Sequence, residues 1–244
     1  MRSNKIEILL EDDDLVAVNK PAGLLTVQGR NGGISLRDVI GSAAGVYDFL
    51  LLVHRLDRQT SGVLLLAKTK QAQQSLQMQF QERQVHKEYL AIVHGQPVED
   101  HGTIQVFMAP HPRVTGKMMV KGNKSQKGKS SKTDWEVVER FPGAALLRCI
   151  PFTGRQHQIR VHLAHIGLPL LVDRLYSETE QFCLSELKPR YRASGRHEER
   201  PLIDRLTLHA HRLRFAHPRD GRSIQLEAPL PKDFRATLDQ LRKL

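Results

Sequence analysis

His54-Arg55-Leu56-Asp57-Arg58-Gln59-Thr60-Ser61-Gly62-Val63-Leu64-Leu65-Leu66-Ala67 is the stretch on which the reading of this chain turns. Val63 to Ala67 has the length and composition of a buried strand. Just before it, Asp57 stands between two arginines, and Thr60-Ser61-Gly62 closes the turn. Flanking guanidinium groups favour the charged form of a carboxylate. Two readings are open at this point. One is a surface Arg-Asp-Arg ion-pair cluster ahead of a strand. The other is a reactive acid displayed on a turn that the core anchors.

The chain has 244 residues, enough for one large domain or two small ones with a substantial core. We read it as a single catalytic domain over 1–244, since no linker-like boundary and no internal repeat divides it. No stretch approaches the roughly 20 apolar residues of a membrane span. The N-terminus lacks a signal-peptide apolar region. Cys149 and Cys183 are the only cysteines and have no CxxC-type neighbour, which fits a cytoplasmic protein without a disulfide framework. Thirty-seven Lys and Arg against 26 Asp and Glu leave a net charge of +11. So basic a domain expects an anionic partner, with nucleic acid ahead of acidic lipid because no basic amphipathic helix or lipidation signal occurs. Aromatics are few, which argues against a dedicated platform for stacking single strands and for a structured, phosphate-rich partner.

Ile6 to Leu10 and Leu15 to Val18 read as short strands around an acidic turn. Asn19 to Gly23 breaks the pattern, Gly29 to Gly33 is a glycine-rich loop, and Ser35 caps a short helix through Ala44. Thr69 caps a helix of about four turns, with Ala72, Leu76 and Phe80 on one face. Further strands are expected at Tyr89–Val93, Thr133–Glu139, Ala145–Ile150, Leu206–His209, Arg212–Ala216 and Ser223–Glu227. A short helix around Ile159 to Ile166 ends at Gly167, and a last one starts near Pro231. Arg113 to Lys132 holds seven basic residues and no acidic one, and reads as a flexible basic loop or hairpin. Residues 187–205 form a second basic excursion. Strands dominate without regular βαβ alternation, so the expected class is α+β with a mostly antiparallel mixed sheet.

Three further constellations matter. Lys87-Glu88-Tyr89 opens an apolar strand, where a tyrosine is most often simply half-buried. Pro151-Phe152-Thr153-Gly154-Arg155-Gln156-His157-Gln158-Ile159-Arg160-Val161-His162 points several cationic groups to one side of a helix start, which is also what a solvated basic helix face looks like. His157, His162 and His165 have metal-like spacing but no HExxH, neighbouring carboxylate or cysteine to complete a site, so no metal is expected. The absence of GxGxxG, Walker and GxSxG motifs gives nucleotide cofactors and acyl transfer no support. Cofactor-free chemistry by one carboxylate on an anionic polymer remains.

His54 to Gly62 resembles the H-R-L-D-x-x-T-S-G signature of the RluA family of pseudouridine synthases. Lys87 to Gly95 is similar to that family's K-x-Y-x-A-x-V-x-G segment, and Thr153 to His162 to its T-G-R-x-H-Q-I-R-x-H. Asn19-Lys20-Pro21-Ala22-Gly23, Thr133 to Val137 and Leu208-His209-Ala210 resemble three more segments, in family order, so that the likeness runs from about Ile6 to Pro229. Two departures stand out. Val172 precedes Asp173 where the family has glycine, and the small N-terminal RNA-binding domain of many relatives is expected to be lacking.

The resemblance implies the pseudouridine synthase fold and the isomerisation of a uridine in structured rRNA or tRNA by a monomeric enzyme that needs no cofactor. It implies Asp57 as the catalytic carboxylate, Arg160 as its ion-pair partner, and Tyr89 packing on the uracil with its hydroxyl near a proton in transit. Arg55 is implied to enter the RNA when the uridine is flipped out. His54, Thr60, Arg155, His157 and Leu170 complete the expected substrate-binding set. The basic segments at 113–132 and 187–205 are expected to bind phosphates. The alternative is a non-catalytic RNA-binding or RNA-folding protein on the same scaffold, which would not need Asp57, Tyr89 and Arg160 together.

Overall fold

The computed structural model describes residues 6–27, 35–36, 39–40, 50–122, 128–188 and 199–244. The glycine-rich loop, most of the helix expected from Ser35, and the middles of both basic excursions lie outside these residues. The chain divides into two compact units, 1–88 with 209–229 and 89–208 with 230–244.

In the first unit, β1 (Glu7–Glu11) and β2 (Leu15–Lys20) pair antiparallel around the expected acidic turn. Asp12 makes that turn: its Oδ1 accepts from the Asp14 and Leu15 N–H groups. β4 (Ser61–Ala67) lies between β2, antiparallel, and β10 (Leu208–Ala216), parallel. The two-residue β3 (Leu51–Leu52) pairs with β4, and β11 (Ser223–Glu227) pairs antiparallel with β10. All seven residues of β4 are buried, which explains why it reads as an unbroken apolar run. α1 (Lys70–Gln81) begins where expected, with the Thr69 side chain accepting from the Ala72 N–H at 3.1 Å. Its Ala72 and Leu76 pack with Leu15, Leu65, Leu213 and Phe215 in one core, and Phe80 lies against it.

In the second unit β5 (His86–His94, from Tyr89), β9 (Ala144–Pro151), β8 (Lys129–Phe141), β6 (His101–Pro110) and β7 (Met118–Lys121) form an antiparallel array in that order. α2 (Gln158–His165) buries Ile159 and Leu163 in one core with Trp135, Leu147 and Leu170. α4 (Lys232–Leu241) buries Phe234, Leu238 and Leu241 in another, and Arg205 grips Asp233 with two bonds of 2.6 and 2.7 Å at its start.

The α+β class and mostly antiparallel pairing are as expected. Three elements differ. The strands expected at Leu206–His209 and Arg212–Ala216 are one strand, β10, because no breaker separates them. β6 was not anticipated, although Ile104, Val106 and Met108 alternate. Its outer positions face solvent and its sequence starts at a glycine-bearing end, His101-Gly102. The first basic excursion takes the hairpin form, one of the two expected, over its described residues: β7 pairs with β6, and β8 begins at Lys129. In the second excursion a one-turn helix, α3 (Leu184–Leu187), was not anticipated, and Ile203 is buried against Phe182.

Candidate active site

The Asp57 turn is clasped through its backbone. Lys20, fully buried, donates from Nζ to the carbonyls of Pro21, Leu24 and Arg58 at 2.8–3.1 Å. The Gly23 N–H donates to Arg58 O, and Arg58 Nε returns a bond to Gly23 O, both 2.9 Å. Thr26 Oγ1 donates to Leu56 O at 2.9 Å and accepts from the Leu56 N–H at 3.2 Å. These bonds are the physical content of Asn19-Lys20-Pro21-Ala22-Gly23: the segment is a brace for the acid. Leu56 is buried, Asp57 half-buried and Arg55 exposed. The Thr60 N–H donates to Asp57 O at 3.1 Å, so the buried Thr60 closes the turn.

Behind the turn, Ser61 and Gly62 lie opposite His209 and Ala210 in the parallel pair. Gly62 has φ +118°, and a Cβ there would stand 2.1 Å from Ala210 O, so only glycine fits. Ser61 Oγ lies 2.9 Å from His209 Nδ1, while His209 Nε2 faces Ala228 O at 3.1 Å. With Nε2–H donating to the carbonyl, Nδ1 is the acceptor of the serine proton. The late Leu208-His209-Ala210 segment thus buttresses the signature turn. His54 is no surface group: its Nε2 accepts from the Leu65 N–H at 3.0 Å and its ring stacks on Phe80. Desolvation first, then the charge of Lys87, holds its imidazole down at about 3. Desolvation and Arg83 hold the Lys87 ammonium down at about 8. His54 is therefore a neutral brace for β4.

In the second unit, Tyr89 is half-buried opposite Cys149 and packs against the core that includes Trp135 and Leu147. Burial pushes the Cys149 thiol up to about 12, which makes it inert. The Thr153–Arg160 segment is locked to β8 by Gln158. That buried amide accepts from Thr153 Oγ1 at 2.6 Å and the Arg155 N–H at 3.0 Å, and donates to Lys132 O and Thr133 Oγ1, both at 2.9 Å. Arg155 Nε donates to Ser130 O at 3.1 Å. His157 precedes α2 in the left-handed region, φ 54° and ψ 21°, and its Nδ1 lies 2.9 Å from the Tyr176 hydroxyl.

Arg160, 7% exposed, donates from Nε and Nη2 to the two carboxylate oxygens of the buried Asp173, each at 2.7 Å. The Leu175 N–H also donates to Asp173 Oδ1. Sequence reasoning missed Asp173 as a partner of Arg160; the signal was an acid ending the apolar run Leu170-Leu171-Val172. It also missed Lys20, Thr26, Gln158 and Tyr176. Leu170, expected to bind substrate, is 1% exposed and sits in the core beside Val93. His162 points into the core, with Nε2 at 2.8 Å from Ser131 Oγ, so the three spaced histidines do not converge.

Within one unit, then, the fold gathers His54, Arg55, Asp57 and Thr60 on a single braced loop. Within the other it gathers Arg155, His157 and Arg160 on one helix start, with Tyr89 on a neighbouring strand pair. Residues 14–165 match the family model described as RNA pseudouridylate synthase. The chain is 39% identical to the ribosomal large subunit pseudouridine synthase C of Salmonella typhi, covering 96% of this chain and 70% of that protein. It is 38% identical to the protein of the same name from Escherichia coli strain K12, again covering 96% and 70%. Among solved structures, human RNA pseudouridylate synthase domain containing 4 superposes with a TM-score of 0.75 at 30% identity, covering 97% of this chain and 93% of that one. The human domain containing 1 gives 0.72 at 28%, covering 95% and 86%.

Proposed function

The chain belongs to the RNA pseudouridylate synthase family, and from that premise we propose that it converts a uridine of large-subunit ribosomal RNA, with Asp57 as the catalytic carboxylate. The reaction class is that of the family, isomerisation of uridine to pseudouridine in RNA. The ribosomal target follows the names of the bacterial relatives. In the reaction the bond between ribose C1′ and uracil N1 breaks and a bond from C1′ to C5 forms. The C5 hydrogen leaves and N1 takes a proton, so nothing is oxidised or reduced.

The observation that carries the assignment is the brace on the Asp57 turn, which spends a buried lysine, a threonine and two glycine contacts on fixing Leu56 and Arg58 on either side of the acid. A carboxylate serves as a nucleophile or charge stabiliser only when its direction is fixed before substrate arrives. Tyr89 packs on the uracil, Arg160 supplies positive charge to the reaction, and exposed Arg55 enters the RNA stack as the nucleotide flips. Arg155 and His157 contact the RNA backbone, and Thr60 and His54 act by shaping the loop. The two units work as one catalytic domain, as a monomer in the cytoplasm. Among the described residues no helix is long and apolar enough to cross a membrane.

Asp57→Asn, nearly isosteric and uncharged, is expected to lower pseudouridine formation by about a thousandfold or more, as removal of a nucleophile does, while RNA binding stays close to that of the parent. Mapping pseudouridine in ribosomal RNA incubated with each protein checks it; turnover retained by the variant removes Asp57 from the chemistry. The basic hairpin carries Lys117, Lys121 and Lys129 and is assigned to the phosphates. Replacing these three with alanine should weaken RNA binding and reduce the slope of log affinity against log salt by about two to three. An unchanged slope takes the hairpin out of the interface.

A further inference from the structure

Tyr176 stands where four segments of the second unit meet. Its hydroxyl accepts a hydrogen bond from the N–H of Met118, the first residue of β7, at 2.8 Å, and lies 2.9 Å from His157 Nδ1. Its ring meets the imidazole edge-on, with centroids 5.8 Å apart. The Arg160 guanidinium carbon lies 4.9 Å from the ring centroid, and Lys117 Nζ lies 5.5 Å from it. The Tyr176 backbone N–H donates to Asp173 O at 3.3 Å. One side chain therefore touches the basic hairpin, the turn that starts α2, and the Arg160–Asp173 pair.

The two ends of this side chain do different physical work. Asp173 holds one edge of the Arg160 guanidinium through two bonds, and tilt about that edge is resisted by whatever else packs on the group. The Tyr176 ring, with the guanidinium carbon over it, opposes the tilt by cation–π attraction and by bulk. The hydroxyl lies at the other end. His157 holds a left-handed conformation that side chains other than glycine rarely adopt, and such a turn persists when its neighbours determine it. The hydroxyl ties that turn to the backbone of the hairpin assigned to phosphate binding.

We propose that Tyr176 is a positioning residue with two separable tasks: its ring holds the Arg160 guanidinium, and its hydroxyl couples the RNA-binding hairpin to the His157 turn. RNA seated on the hairpin is thereby registered against the turn that carries Arg160. The inference rests on Arg160 being part of the active machinery, so its test carries a control for that reading.

Tyr176→Phe, Tyr176→Leu and Arg160→Met are made in the full chain. Initial rates are measured against the concentration of an unmodified large-subunit ribosomal RNA transcript, and amide hydrogen exchange is followed at Met118. Tyr176→Phe is expected to raise KM about fivefold, the scale of one lost hydrogen bond, with the smaller change in kcat, and to speed exchange at Met118. Tyr176→Leu should show the same KM effect and add a fall in kcat of about tenfold, the scale of a buried cation–π contact. A Tyr176→Phe protein with parental KM and parental Met118 exchange overturns the hydroxyl's task, and a Tyr176→Leu protein with parental kcat overturns the ring's. Full turnover by Arg160→Met strikes down the Arg160 reading and the ring's task together. The exchange and KM measurements then still decide the hydroxyl tie, so the two failures are distinguishable.

Discussion

The loop that carries Asp57 and the helix start that carries Arg160 are both fixed, but by opposite means. Around Asp57 the holding is distributed: Lys20, Thr26, Gly23 and the Arg58 side chain each engage main-chain groups of neighbouring residues. Around Arg160 the described bonds centre on the side chain itself: the bidentate ion pair with Asp173, backed by the Tyr176 ring. Main-chain clasps set the course of a loop and leave its side chain to be chosen for chemistry. An ion pair fixes the side chain itself, and makes its direction depend on the charge that faces it. The roles we propose match: an acid that acts on substrate suits the first arrangement, and a cation that presents charge suits the second.

That contrast predicts unequal losses. Asp173→Ala leaves a buried guanidinium without its carboxylate and should cost about 3–5 kcal/mol, the usual penalty for breaking a buried pair from one side. Lys20→Met keeps the length of the side chain but strips a donor from three carbonyls. Because Thr26 and Gly23 continue to hold Leu56 and Arg58, and water can reach part of the loop, its cost should be lower, about 2–3 kcal/mol. Urea unfolding of the two variants beside the parent gives the comparison directly. A Lys20→Met loss equal to or above that of Asp173→Ala would mean that the acid's loop also hangs on one residue, and the distinction would fall.

Unequal legibility follows from the same difference. The apolar run of β4, the Thr69 cap of α1 and the Pro231 start of α4 announce themselves because burial and capping act over a few consecutive residues. Asp57 was visible for the same reason, being flanked by its own arginines and followed by its own strand. Lys20 and Thr26 were not. Their bonds reach Arg58, 38 positions away, and Leu56, 30 positions away, and a lysine after a strand normally reads as solvated. Asp173 and Tyr176 were missed likewise, since no local pattern says which of many carboxylates and rings will meet Arg160. β6 and the undivided β10 were lost at boundaries, where solvent-facing residues weaken the alternation. Placing Arg160 and Tyr89 depended on likeness to a family; a basic helix face and a half-buried tyrosine describe those residues equally well in isolation.

Each region also holds one desolvated histidine, and acid should act on the two unequally. His54 is held down at about 3 and His162 at about 4, both chiefly by desolvation, against an ordinary value of 6.5. A base whose folded value is depressed binds protons more readily when unfolded. Its contribution to stability is therefore complete above about pH 6.5 and is lost as pH falls toward the folded value. Each histidine should cost about 1.4 kcal/mol per pH unit in that window, or about 2–3 kcal/mol between pH 6.5 and 4.5. Down to about pH 4.5 both imidazoles stay largely neutral in the folded chain and the two losses run together; below about pH 4 His162 has taken its proton and its loss levels off, while that of His54 continues toward pH 3. The stability difference between pH 7 and pH 3 should thus shrink more in His54→Phe than in His162→Leu, although the first variant starts weaker at pH 7 for want of the Leu65 bond. Equal pH dependence in parent and both variants would place the acid sensitivity elsewhere, and the braced loop would then survive acid as well as the ion-paired helix does.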